Sequence, residues 1–281
     1  MKTLKGFALG IIFLLLMAGS SNTLLSPQNA LNILAKYSHI NIALNTHQGM
    51  SRVVKFGYNL DVDTAASEHI VPWGGKVALY GLTARTLSVV STSAADTSAG
   101  TGARTILIQC IDSIGAEVDL VVTLNGVTPV VTTQTCKFVN RALVFAAGTG
   151  RTNAGNINII QTTSSVQLAQ IPALFSVTQQ LTYYVPYNKK CYIEAVRLTV
   201  VKNAGGQIPK VKWNAFIYSA TQDVLYDIRT DYMDAAVSNY REVLDYKDQP
   251  LLPNEIMFFD LLTNQDNTEV TGVLDLICQE N

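Results

Sequence analysis

The sequence predicts an all-β protein: two β-sandwich, jelly-roll-like domains behind an N-terminal arm that carries one short helix. Three observations carry this expectation. From about Val53 onward the chain is a succession of short runs rich in Val, Ile, Thr and aromatic residues. Turn-forming clusters separate these runs at intervals of roughly 10–15 residues, the pattern of sandwiches and barrels. Third, two blocks echo each other. Val71-Pro72-Trp73 with Lys76 precedes Arg85 and LSVV, and Val185-Pro186-Tyr187 with Lys190 precedes Arg197 and LTVV. The echo points to two related domains dividing near 165–175. A chain of 281 residues suits two domains of roughly 100–200 residues each. The expected segments are 1–54 (apolar segment, helix and arm), 55–168 and 169–281 (one sandwich each).

Taken in order, MKTLKGFALGIIFLLLMAGSSN sets Lys2 and Lys5 before an apolar run from Phe7 to Ala18, then small residues. That is the layout of a secretory signal peptide, and the run falls short of the roughly 20 apolar residues a membrane span needs. It is equally the composition of an apolar arm buried in an assembly. Ser26-Pro27 supplies a helix cap and a first-turn proline. Ala30, Leu31, Leu34 and Ala35 share one face, so a helix is predicted from about 27 to 38, with a connecting arm over 41–55. Strands are predicted at VVKFGYNLDV, KVALYGLT, RTLSVVSTS, RTILIQCID, EVDLVVTLNG, CKFVNRALVFAA and NINIIQTT. A second series runs through LTYYVP, KCYIEAVRLTVVK, KVKWNAFIYSA, DVLYDIRT, EIMFFDLLTN and EVTGVLDLICQE. Asn125-Gly126 is a hairpin signal, because both residues tolerate positive φ. Asn203–Gly206 and Asn264–Asn267 read as turns, and residues 231–244 as room for a short helix.

Composition and motifs argue against chemistry. A net charge of −1 with 15% charged residues leaves no basic stripe for phosphate contacts, so no nucleic acid is expected. Cys110, Cys136, Cys191 and Cys278 form no CxxC pair, so zinc is not expected. Three of them sit in apolar, strand-like runs and read as small buried hydrophobes; disulfides enter only if the chain is exported. DTSAGTGART at 96–105 looks at first like a phosphate loop. It lacks the third glycine, and a β-branched strand follows it instead of a helix whose N-terminus could face an anion. Gly148-Thr149-Gly150 fails in the same way. His39, His47 and His69 form no metal pairing, no G-x-S-x-G elbow exists, and Asp223, Asp227, Asp231 and Asp234 read as a solvated edge. The expectation is no catalytic residue, no cofactor, no metal and no small-molecule substrate. Aromatic residues are the remaining candidates, as core, sugar platform or protein contact. Tyr183 and Tyr184 are adjacent and so face opposite ways on a strand, which predicts that one of them meets a partner or a loop. Tyr183, Tyr184, Tyr187 and Trp73 are the candidate partner contacts.

STSAADTSAGTGARTILIQCID, EVDLVVTLNGVTPVVT and VNRALVFAAGTGRTNAGNI resemble blocks of structural proteins of tailed-bacteriophage virions, marine ones above all. YYVPYNKKCYIEAVRLTV and QPLLPNEIMFF with TEVTGVLDLIC resemble the later strands of such chains. The resemblance covers about residues 75–281 and rests on strand-and-turn signatures. It implies a non-enzymatic virion protein, with capsid decoration or cementing as its role and the major capsid protein or other virion proteins as partners. Homo-oligomers of closed symmetry go with that role. Assembly in the host cytoplasm is implied, whereas the N-terminal run reads as an export signal or an inserted arm. A tail or fibre component, or an exported bacterial adhesin or carbohydrate-binding module, is the alternative.

Overall fold

A computed structural model of the protein describes residues 49–80, 82–202, 208–234, 240–242 and 250–281. The apolar N-terminal run, the helix expected at 27–38, most of the arm, His39, His47 and the turn at Asn203–Gly206 lie outside the described residues. The described chain is all-β. Its strands are β1 (Met50–Val62), β2 (Glu68–His69), β3 (Arg85–Ser91), β4 (Ala103–Ile111), β5 (Glu117–Thr123), β6 (Val130–Cys136), β7 (Phe138–Ala147), β8 (Ile157–Gln161) and β9 (Gln167–Ile171). They continue with β10 (Tyr183–Tyr184), β11 (Lys189–Lys202), β12 (Lys210–Ser219), β13 (Val224–Asp234), β14 (Tyr240–Glu242), β15 (Glu255–Thr263) and β16 (Thr268–Glu280).

Pairing sorts these strands into two sandwiches. In the first, the sheet β6-β3-β8-β9 faces β5-β4-β7. In the second, β1-β16-β11-β14 faces a sheet in which β15-β12-β13 is bordered by both β2 and β10. The central orders match strand for strand: β6-β3-β8 answers to β14-β11-β16, and β5-β4-β7 to β13-β12-β15. With β1 beside β16 and β2 beside β15, eight of the nine strands of the second sandwich take the double-sheet arrangement of a jelly roll, and the two-residue β10 is the ninth, paired with β15. Its first two strands come from before the first sandwich and its last seven, β10 to β16, from after it. The first sandwich is therefore inserted into the second, and sheet membership does not follow the expected 55–168 and 169–281 segments. Periodicity marks a strand but does not name its partner.

Each sandwich has its own core. Leu87, Val89, Ile106, Ile108, Ile157 and Ile159 fill the first. Leu198, Trp213, Phe259, Val270 and Leu274 anchor the second. A third cluster fuses the two bodies: Val71, Val77 and Leu79 from the 70–80 segment meet Ile111 and Phe138 of the first sandwich and Tyr184, Tyr218 and Phe258 of the second.

Four expectations change. The described residues of KVALYGLT form no strand; Val77 and Leu79 are buried in the junction core, and the segment joins no ladder among the described residues. Asn125-Gly126 makes no hairpin, since β5 and β6 lie in opposite sheets. Gly126 takes φ 62° and turns the chain across the sandwich. Residues 231–234 end β13 and 240–242 form β14, so the short helix is not found among the described residues of 231–244. The cysteines are not free: Cys110 bonds Cys136 and Cys191 bonds Cys278. The first bridge joins β4 to β6 across the core, and the second ties β11 to its neighbour β16 at directly opposite positions.

Candidate interaction surfaces

The DTSAGTGART stretch is organised by a carboxylate. Asp96 is fully buried. The backbone N–H groups of Ala103 and Ala154 donate to its Oδ1 at 2.7 and 2.8 Å, and that of Gly155 to Oδ2 at 2.9 Å. Ser91 Oγ donates to Oδ2 at 2.6 Å. The backbone donors of this loop are thus occupied by the chain's own carboxylate. The second glycine loop packs on the first, with Gly148 N–H donating to Gly102 O at 2.7 Å and Gly150 N–H to Thr101 O at 2.8 Å. A Cβ on Gly148 would collide with the backbone of Gly100 and Thr101. These glycines permit two loops to touch main chain to main chain.

The expected tyrosine contacts separate. Tyr183 and Tyr184 are 2% and 1% exposed, so neither faces a partner. Alternation holds, but both faces of β10 are covered: Tyr183 enters the second core and Tyr184 the junction core. Asn140 clamps Tyr184 by accepting its N–H and donating to its carbonyl, both at 2.9 Å. Burial pushes the Tyr184 phenol up to about 12, so it remains a donor and reaches Asn254 Oδ1 at 3.2 Å. Trp73 is half-buried against the junction core, and Tyr187 is exposed. The structure does not gather the four residues into one site.

Two surfaces have the form of binding sites. The first is a cleft of about 400 Å³ beside the junction, which His69, Lys76, Tyr80, Phe216, Phe258 and Asp260 help to line. Val77 N–H donates to His69 Nδ1 at 3.0 Å, which places the ring proton on Nε2, 3.0 Å from Asp260 Oδ1. Lys76 Nζ lies 3.3 Å from Asp260 Oδ2 and 2.7 Å from Ser67 Oγ. Burial lowers the His69 pKa and outweighs the pull of Asp260. Burial alone would raise Asp260, but the hydrogen bond from His69 and the charge of Lys76 hold it below its ordinary value. Tyr80, 57% exposed, stands edge-on to Tyr218 with centroids 4.7 Å apart. The cleft thus has an open aromatic ring at one end and a charged pair at the other.

The second surface is the outer face of β1, β16 and β11. Alternation on β1 turns Lys55, Gly57 and Asn59 inward and Phe56, Tyr58 and Leu60 outward. Across the sheet, Phe56 neighbours Val273 and Tyr58 neighbours Thr271. Phe175, from the loop after β9, packs against Tyr58 with the rings tilted and their centroids 5.3 Å apart. Phe56 and Phe175 are 53% and 49% exposed around a shallow depression of about 540 Å³. Arg197 and Glu269 border it. Exposed aromatic and aliphatic side chains clustered on the outer face of an antiparallel sheet depart from the usual polar-out pattern, and patches of this kind are candidates for contact with another molecule. Sequence reasoning missed it because Phe56 and Tyr58 read as ordinary strand hydrophobes until the inward-facing residues are known.

No protein-family model and no curated protein matches the chain. Among solved structures it is similar to T=1 particles derived from infectious bursal virus, at 11% identity over 83% of this chain and 74% of that chain, with a TM-score of 0.16. A likeness at that score carries no argument about the chain's role.

Proposed function

We propose that this chain is a non-enzymatic structural protein of a tailed-phage virion that works by covering and joining other subunits. The finer reading is a capsid decoration or cement protein that binds across major capsid subunits, itself as a homo-oligomer. The observation that carries this reading is the exposed apolar face around Phe56, Tyr58 and Phe175. A flat sheet face with an apolar centre suits broad, shallow contact, and stable interfaces bury about 1,200–2,000 Å² in total. The resemblance of residues 75–281 to phage virion proteins supports the same reading, as does the jelly roll, which recurs in viral capsids and in lectins. Fold alone does not assign function. The two disulfides favour a working life in an oxidising place, such as a released virion or a cell surface, over a permanent one in the cytosol.

The test is quantitative mass spectrometry of purified particles combined with imaging of the head. The expected result is a copy number in fixed proportion to the capsid subunits, with matching density on the capsid. Absence from the particles overturns the proposal. A few copies confined to the tail, or recovery in the medium as a free exported chain, favours the second reading: a tail or fibre component, or an exported sugar-binding module. The cleft beneath Tyr80 is the observation behind that reading. An exposed aromatic ring beside the Asp260–Lys76 pair is an arrangement that can stack on a sugar ring and hydrogen-bond its hydroxyls.

A further inference from the structure

We propose that Lys55 and Asn140 form an intramolecular isopeptide cross-link, with Glu117 carrying the proton. Residues of three strands come together around Asn140, Lys55 at its main-chain carbonyl and Glu117 at its side-chain amide. Lys55 sits on the inward face of β1, is 5% exposed, and its Nζ donates to the main-chain carbonyl of Asn140 on β7. Asn140 is itself buried. Its carboxamide is fixed in orientation, with Oδ1 accepting from Tyr184 N–H at 2.9 Å and Nδ2 donating to Tyr184 O at 2.9 Å. Glu117, at the start of β5, places Oε1 3.3 Å from Asn140 Nδ2, and its Oε2 takes Lys189 Nζ at 3.2 Å.

Each group suits a role in amide exchange. Burial, with repulsion from Arg141, lowers the Lys55 amine to about 7 against the opposing pull of Glu117. A desolvated lysine of that kind is substantially unprotonated near neutrality and therefore nucleophilic. The Tyr184 N–H already points at Oδ1, the atom on which negative charge develops when an amide carbon is attacked. Glu117 touches Nδ2, the nitrogen that leaves.

The step balances without a co-reactant. The Nζ lone pair attacks Asn140 Cγ and the Nζ–Cγ bond forms. Glu117 accepts the proton from Nζ and returns it to Nδ2. The Cγ–Nδ2 bond breaks and ammonia departs, leaving a secondary amide between the two side chains. Nothing is oxidised or reduced. The step asks the amine to move from the main-chain oxygen of Asn140 to the side-chain carbon of the same residue, within the roughly 3–3.5 Å that attack requires. The product would bond β1, the strand that closes the second jelly roll, to the body of the first sandwich.

Intact-mass spectrometry of the full chain, reduced and alkylated so that the disulfides do not contribute, tests the proposal. The expected mass is about 17 Da below the unlinked value, the loss of one ammonia. Tandem spectra of a digest should show the Lys55 peptide joined to the Asn140 peptide. Lys55→Met abolishes the deficit. Glu117→Gln, which preserves the contact with Lys189 in size and removes only the proton carrier, also abolishes it while its circular dichroism stays that of the parent chain. An unshifted wild-type mass overturns the proposal and leaves Lys55 as a hydrogen-bond donor only. A deficit that maps elsewhere overturns it too, and one that survives Glu117→Gln removes Glu117 from the mechanism.

Discussion

Asp96 shows how much one side chain can organise. It gathers donors from its own loop and from residues 58 and 59 positions downstream, so two loops remote in sequence are stitched through one carboxylate. Asp96→Ala leaves three backbone N–H groups and one hydroxyl without their acceptor. At about 1–3 kcal/mol for each buried group that stays unpaired, and with partial relaxation, the expected loss is on the order of 3–5 kcal/mol. Urea denaturation of the variant beside the parent chain checks it; an unchanged midpoint would refute the organising role. The sequence made part of this legible. A glycine-rich stretch that enters a strand and not a helix reads correctly as a connection. What holds it was not legible, because nothing in DTSAGTGART names Ala154 and Gly155 as donors. The tyrosine pair shows a related limit: Tyr184 does meet a loop, at Asn254, but both rings are buried. Strand alternation sends Tyr183 and Tyr184 opposite ways, and the sequence is silent on whether a second core waits on the far side.

At the scale of elements, β-branched alternation located nearly every long strand, and β1, β4, β11, β12, β15 and β16 were all legible as apolar runs. The short strands β2, β6 and β9 were not singled out, since β6 carries mostly Thr and Gln and β2 spans two residues. Pairing was beyond reach throughout, because it is settled by contacts between distant segments. The Cys110–Cys136 bridge belongs to this scale. It clamps β4 to β6 from opposite sheets, over a sequence separation of 26 residues. Closing a loop of that length restrains the unfolded chain by about 3–4 kcal/mol in the entropic model. Replacing both cysteines by Ala should cost roughly that amount, read as a lower denaturation midpoint. The parent chain under reductant should move in the same direction. Equal stability of the bridged and unbridged chains would show that the core alone holds the two sheets.

For the whole molecule, the decisive fact is that one sandwich is inserted into another of matching strand order. The echo between the Val71 and Val185 blocks hinted at related halves, yet the closing role of β1 and β2 in the far sandwich lay outside any local pattern. The outer face of β1, β16 and β11 is where association should be measured. Phe56→Ser changes an exposed side chain and should shift folding stability by no more than about 0.5 kcal/mol, while Phe175→Ser also removes the ring contact with Tyr58 and should cost about 0.5–1.5 kcal/mol. If this face is the contact, binding to emptied particles should weaken by about tenfold or more for each substitution, the scale of an interface anchor. Wild-type binding by the double variant would move the contact elsewhere. The insertion also bears on how the molecule responds to load. The polypeptide passes between the two bodies once on the way out, through residues 70–84, and once on the way back, through 172–182. A protease nick in either passage leaves the halves tethered by the other, and a pull that parts them is shared by two covalent strands, as a bucket hangs steadier from a loop of rope than from a single line.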